Sequence, residues 1–271
     1  MMQTTISKQS LPLVIWRRWH WLLWVVAVAV IYTWAVTGLH FTGLQESAAS
    51  VSQSIVHGLV QPDWAYVYNG SGEDLVSLVL QTLAIAFLGT FISALISVPF
   101  AFWAARGGRE WLHLRSGSGK VVLTLIRTFP EIVLAIMFIK AVGPGSYAGV
   151  LAVSIHSIGM LGKLFSEAIE NMDRGADEAI MSAGGNSGQI FVLATLPTIL
   201  PEFISYTLYR FEIAVRSASI LGMVGAGGIG TPMIFAIQTR NWPRVGIILL
   251  GIVLMVLVID TLSEQLRKRL V

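Results

Sequence analysis

Arg127, Glu131, Arg210, Glu212 and Arg216 fall inside stretches that are otherwise apolar. A charge taken out of water is costly, so each must face a partner or a wet cavity. Glu131 follows Arg127 by four residues and Arg216 follows Glu212 by four, which predicts each pair on one helical face. One chemistry open to them is internal ion pairing that holds a bundle together. The other is anion guidance, because the guanidinium groups of Arg210 and Arg216 can contact a passing oxyanion bidentately. A path that must release its anion favours weaker lining groups, a part that suits Tyr206, Ser217 and Ser219. His156, the membrane-embedded histidine of the sequence, fits either a bundle hydrogen bond or that path.

Motifs that promise other chemistry lack their context. Gly225, Gly227 and Gly230 spell Gly-x-Gly-x-x-Gly, yet that pattern binds a dinucleotide only between a strand and a helix. Here, with Gly228, it follows a spanning stretch at the outer face, which suits close backbone approach at a gate or helix crossing. Ser118-Gly119-Lys120 is no phosphate loop, since Leu114 holds the first glycine position and Val121 follows the lysine. The chain therefore brings no ATP site or other cofactor of its own, and its energy must come from a partner or a gradient. Gly185-Asn186-Ser187-Gly188 has the form of an intramembrane protease nucleophile, which needs a base within reach. Ser187 falls instead in a polar, acidic loop. No metal-ligand spacing appears, and the absence of cysteine removes disulfides and thiolate sites.

These residues must be held by a membrane bundle. Of the 271 residues, 55% are hydrophobic and 12% charged, about half the charge of a soluble domain. Too few polar side chains remain to cover a water-facing surface or to wrap nucleic acid. Spans of about 20 apolar residues are predicted at 21–39, 75–105, 121–142, 148–164, 203–224 and 245–262, an all-α polytopic bundle of six. Residues 1–74 read as an N-terminal tail, the first span and an external loop, and residues 75–271 as a core of five spans.

Basic residues set the orientation. They crowd before span one (Lys8, Arg17, Arg18), between spans two and three (Arg106, Arg109, Arg115, Lys120) and after span six (Arg267, Lys268, Arg269). An even number of spans with both termini cytoplasmic puts these clusters on one side. Arg240 and Arg244 dissent, falling in the outer loop before span six. Residues 165–200 then form one long cytoplasmic segment, predicted as two short helices around a Gly-Gly-Asn turn. It is a candidate docking surface.

Within that segment Glu178-Ala179, Gly184, and Leu196-Pro197 match the coupling loop of ABC-importer permeases, with Gly185 and Asn186 completing the turn. Ile180 and Ala194 depart from the pattern. Further stretches carry a wider likeness: Arg127-Thr128-Phe129-Pro130-Glu131, Ala148 to His156, Ser157 to Ala168, Ile204 to Glu212, Val215 to Ser219, and Gly222 to Gly230. Together these resemble the permease subunit of phosphonate ABC importers, from about Leu75 onward. The resemblance implies a methionine-importer-like fold in a bacterial inner membrane and a homodimer. It also implies two ATPase subunits that hold ATP and magnesium, and an extracytoplasmic solute-binding protein. The expected cargo is a phosphonate or a smaller relative such as phosphite. A sister permease for methionine, a gradient-driven carrier and an intramembrane hydrolase are the alternatives.

Overall fold

The computed structural model describes residues 11–38, 48–70, 72–105 and 112–270, and among them it is helical without strands. The elements are α1 (Leu11–Gly38), α2 (Ala48–Val60), a 3-10 turn (Trp64–Tyr66), α3 (Leu75–Ala104), α4 (Leu112–Thr128) and α5 (Glu131–Val142). They continue as α6 (Ser146–Asn171), α7 (Gly175–Ser182), α8 (Ser187–Ile190), a π segment (Phe191–Thr195), α9 (Leu196–Met223), α10 (Gly230–Gln238) and α11 (Trp242–Leu270). Contacts divide the chain into two units, Met1–Val51 and Ser52–Val271. In the first, α1 is apolar enough to cross a membrane from Trp21 to Gly38. Its Thr33 and Thr37 hydroxyls donate to the carbonyls of Ala29 and Thr33 at 2.9 and 2.7 Å, so these two hydroxyls are met within the helix.

The second unit is built on α3 and α6. Ala86, Gly89, Ser93, Ser97 and Ala101 of α3 are buried, as are Ala148, Gly149, Ala152 and Ser157 of α6. Lipid tails are as apolar as leucine, so helices in a bilayer associate through small residues that let backbones approach. Ser93 and Ser157 are satisfied locally, donating to Thr90 O at 2.7 Å and Val153 O at 2.6 Å, while Ser97 donates across to Ile158 O at 3.4 Å. Asp74 caps α3, accepting from the amides of Ser77, Gly70 and Asn69 at 2.9, 3.2 and 3.3 Å. Hydrogen bonds from Ser77, then from Asn69 and Gly70, hold its carboxyl below the usual range. The cap therefore stays charged at neutral pH and weakens only as acid protonates it.

Several spans depart from their predicted form. The third is broken: α4 and α5 meet at 77°, because Pro130 donates no backbone N–H and turns Phe129 away from helical geometry. Among the described residues five helices are long and apolar enough to cross, or six if that bent pair counts as one span. The fourth reaches Asn171. The fifth begins at Ser187, since α8, the π segment and α9 run on without a stop. The second of the two expected short helices is thus the foot of a span. Residues 52–74, grouped by sequence with the first span, pack on the core instead. Gly58 lies against Trp242 and Gly246, and the Asp63 amide donates to Pro243 O at 3.1 Å.

Candidate transport pathway and coupling surface

Beyond α9 the chain turns through Gly225, Gly227 and Gly228, at φ of 100°, 82° and 77°. A side chain at Gly228 would be strained in that conformation and would strike Thr82. The segment is pinned to α3: Gly228 N–H donates to Gln81 Oε1 at 3.2 Å and Ile229 N–H to Thr82 Oγ1 at 2.9 Å. Gly145 N–H donates to Gly225 O at 2.9 Å, and Thr231 Oγ1 donates to Gly222 O at 2.9 Å. Gly230, which opens α10, packs on the Ser219 carbonyl with no room for a Cβ. Ala226 and Ile229 are fully buried. The sequence reading puts this loop at the outer face past a completed span. Its amides are held instead about two turns into α3, with Ala226 and Ile229 buried among the helices. A cavity of about 720 Å³, lined by Tyr66, Glu73, Gln81, Met223, Pro232 and Phe235 among others, opens on the side of the Asp74 cap.

The charged residues form two clusters, neither of which follows from the spacing alone. Arg127 and Glu131 are parted by the α4–α5 bend. Glu131 instead meets Arg210, at 3.3 Å. Arg210 is 2% exposed, and its Nε also donates to Ser157 Oγ at 2.7 Å. His156 closes the bend, with Nδ1 3.1 Å from Phe129 O. A carbonyl only accepts, so Nδ1 carries the proton in this contact. The second cluster does contain the expected Glu212–Arg216 pair, at 2.6 Å. Arg216 also reaches both oxygens of Asp260 at 2.9 Å, and Arg267 reaches Glu212 at 3.0 Å.

Arg210 and Arg216 are therefore engaged by carboxylates. Arg127 is the cation of the five residues left without an ion pair among the described residues, and with Thr124, Thr128 and Lys163 it lines a pocket of about 230 Å³. Ser219 is buried and donates back to Val215 O at 3.1 Å. Ser217 is half-buried. Tyr206 is half-buried too, beside the stacked rings of Phe165 and Phe203. Sequence reasoning missed Asp260, Arg267 and Ser157 as partners. Asp260 had a signal, a lone carboxylate inside the most apolar span.

At the far end of α9, helix α7 buries none of its residues, and it presents Glu178 and Ala179 to solvent. It ends in a left-handed turn at Gly184, φ 84°, where the amides of Gly184 and Gly185 donate to Met181 O and Ile180 O at 3.0 and 2.9 Å. Asn186 then caps α8 in a reciprocal capping box with Gln189. Thr195 Oγ1 donates to Asp177 Oδ1 at 3.1 Å, tying α7 to the residues that lead into Leu196-Pro197 and α9. Ser187 is exposed at the start of α8, while His156 is occupied at the α4–α5 bend. The two halves of a hydrolytic site are not joined by a hydrogen bond.

The family model of the binding-protein-dependent transport system inner membrane component covers residues 97–271. The chain belongs to that family. This permease is 35% identical over 253 residues to the phosphite transport system permease protein PtxC of Stutzerimonas stutzeri, covering 93% of its own length and 90% of that protein. It is 41% identical over 189 residues to the phosphate-import permease protein PhnE of Mycolicibacterium smegmatis, covering 70% of itself and 35% of that longer chain. Among solved structures, the inward-facing MetNI methionine ABC transporter aligns with a TM-score of 0.63 at 20% identity, over 73% of this permease and 96% of that chain. That likeness is one of fold, and it establishes the methionine-importer-like bundle.

Proposed function

We propose that this permease carries a small phosphorus oxyanion, phosphite or a phosphonate, across a bacterial inner membrane as the transmembrane subunit of an ABC importer. The observation that carries the reading is the 35% identity to a phosphite permease along 93% of the chain. Methionine permeases match at 26% and 28%, which favours the phosphorus cargo. Two copies form the pathway, both termini lie in the cytoplasm, and a binding protein delivers cargo to the side of the 720 Å³ cavity. Residues 1–51 serve as an added anchor, and residues 52–271, whose Tyr66 and Glu73 line that cavity, as the transport core. ATP and magnesium are held by two partner ATPase subunits and not by this chain.

The mechanism follows from one continuous element. Closure of the ATPases pushes α7 at Glu178 and Ala179, and the turn at Gly184, Gly185 and Asn186 keeps that helix at a fixed angle. The Asp177–Thr195 contact passes the movement to the π segment, a natural flexure in a helix, and so past Leu196 and Pro197 to α9. That helix carries Arg210, Glu212 and Arg216 in its middle and ends on the glycine loop at Gly225, Gly227, Gly228 and Gly230. A shift at its foot therefore changes the loop's hold on Gln81 and Thr82. Tyr206, Ser217 and Ser219 lie along the same helix, Ser219 as packing and the other two as half-open lining. Arg127, with His156 and Glu131 behind it, supplies positive potential along the path.

Growth provides the test. A strain without its own importers, given this permease with its ATPase and binding protein, grows on phosphite or methylphosphonate as sole phosphorus source. Rescue of a methionine importer mutant, with no growth on either phosphorus source, would reverse the substrate reading.

A further inference from the structure

Arg240 and Arg244 are the basic residues that break the charge rule, and both lie beside the cavity opening. Arg240 sits between α10 and α11 at φ 55°, a left-handed conformation in a residue other than glycine. Arg244, in the first turns of α11, is half-buried with its guanidinium 4.3 Å above the ring of Tyr66. Its buried Nε–H has no hydrogen-bond partner, and no ion pair holds it among the described residues. Tyr66 is itself buried and is positioned by the 3-10 turn, whose Asp63 amide is bonded to Pro243 O. The guanidinium is thus placed by its neighbours without an ion pair. Arg244 lines a polar pocket of about 320 Å³ together with Asn69, Glu73, Thr239 and Asn241. The pocket shares Tyr66, Glu73, Pro232 and Phe235 with the 720 Å³ cavity beside the glycine loop.

We infer that Arg244 forms an entry subsite for a small oxyanion, where cargo released from the binding protein is held before the glycine loop opens. A planar guanidinium with free donors suits a tetrahedral oxyanion. The pocket is roomy for such a group and too small for a protein segment. Stacking on Tyr66 orients the cation without neutralising it. Glu73 in the same wall offsets the charge and keeps the hold weak, as a relay requires. Arg240, exposed at the rim, adds attraction at longer range. This inference rests on the proposed cargo for its biology, but the chemistry of the subsite can be read separately.

Two measurements on wild type, Arg244→Gln and Arg244→Lys test it. One is broadening of the phosphorus resonance of millimolar phosphite by the purified permease in nanodiscs. The other is phosphite uptake by the complete assembly in proteoliposomes. Wild type is expected to broaden the line. Arg244→Gln should weaken that effect about tenfold and raise the KM for uptake by a similar factor, with Arg244→Lys in between. Equal broadening by wild type and Arg244→Gln, or none by wild type, overturns the subsite whatever uptake shows. Broadening that depends on Arg244 without wild-type uptake of any phosphorus oxyanion keeps the subsite and sinks the cargo assignment. Unchanged broadening, together with lost ATPase stimulation by the binding protein, would make Arg244 a docking residue and the inference wrong.

Discussion

Gly184→Val is expected to abolish ATP-driven uptake while leaving the permease folded and assembled. Gly184 has φ 84°, and a Cβ there would meet nothing within 4 Å. The glycine is therefore needed for its backbone and not for packing. A left-handed conformation costs an ordinary residue about 1–2 kcal/mol, and a β-branched one more. Valine would release that strain by unwinding the turn that sets α7 against α9. Because α7 is solvent-exposed, the bundle loses no core contact. Uptake should fall at least about tenfold, and the ATPase rate should stop responding to loaded binding protein. Gly184→Asn, which tolerates the left-handed region, should keep most of the activity. Uptake within twofold of wild type in the valine variant would remove α7 from the coupling role.

The second large effect concerns Arg210 and Glu131. Arg210→Met leaves a carboxylate facing an apolar interior, and Glu131→Leu leaves a guanidinium that is 2% exposed with Ser157 as its remaining hydrogen-bond partner. Breaking a buried pair from one side typically costs about 3–5 kcal/mol. Each single variant should therefore lose much of its folded population, visible as a lower Tm in nanodiscs. The double variant, which removes both charges together, should recover most of that loss, since well-packed apolar replacements of buried pairs are often neutral. Uptake then separates the two chemistries open to these residues. A stable double variant that still transports identifies the pair as structural, whereas a stable one that does not transport assigns Arg210 to the anion.

Much of this was legible in the sequence because membrane proteins follow one strict rule: backbone polar groups must be satisfied within the segment. Apolar length alone located α1, α3, α6 and α11, α9 was legible despite Arg210, Glu212 and Arg216 within it, and charge asymmetry flagged Arg240 and Arg244. The spacing of Glu178, Gly184 and Pro197 located the short helix α7 and its turn. Pairing was less legible. The spacing of Glu212 and Arg216 revealed one contact because α9 is unbroken there, and the same spacing misled at Arg127 and Glu131 because Pro130 bends the chain between them. The placement of the glycine loop against α3 could not be read at all. It depends on Gln81 and Thr82, which are far away in sequence and ordinary in type, receiving the amides of Gly228 and Ile229. Helix α10 was hidden for a related reason: a nine-residue helix is too short to look like a span, and only packing against α9 and α11 gives it a place.

In the proposed function this chain imports a phosphorus oxyanion on ATP hydrolysed by partner subunits. The most direct measurement is uptake into proteoliposomes holding the permease, its ATPase and its loaded binding protein, with phosphite, methylphosphonate and methionine compared. The expected result is accumulation of phosphite or the phosphonate that requires ATP and survives collapse of ion gradients, with no methionine uptake. Accumulation that persists without ATP and disappears with the gradient would contradict it.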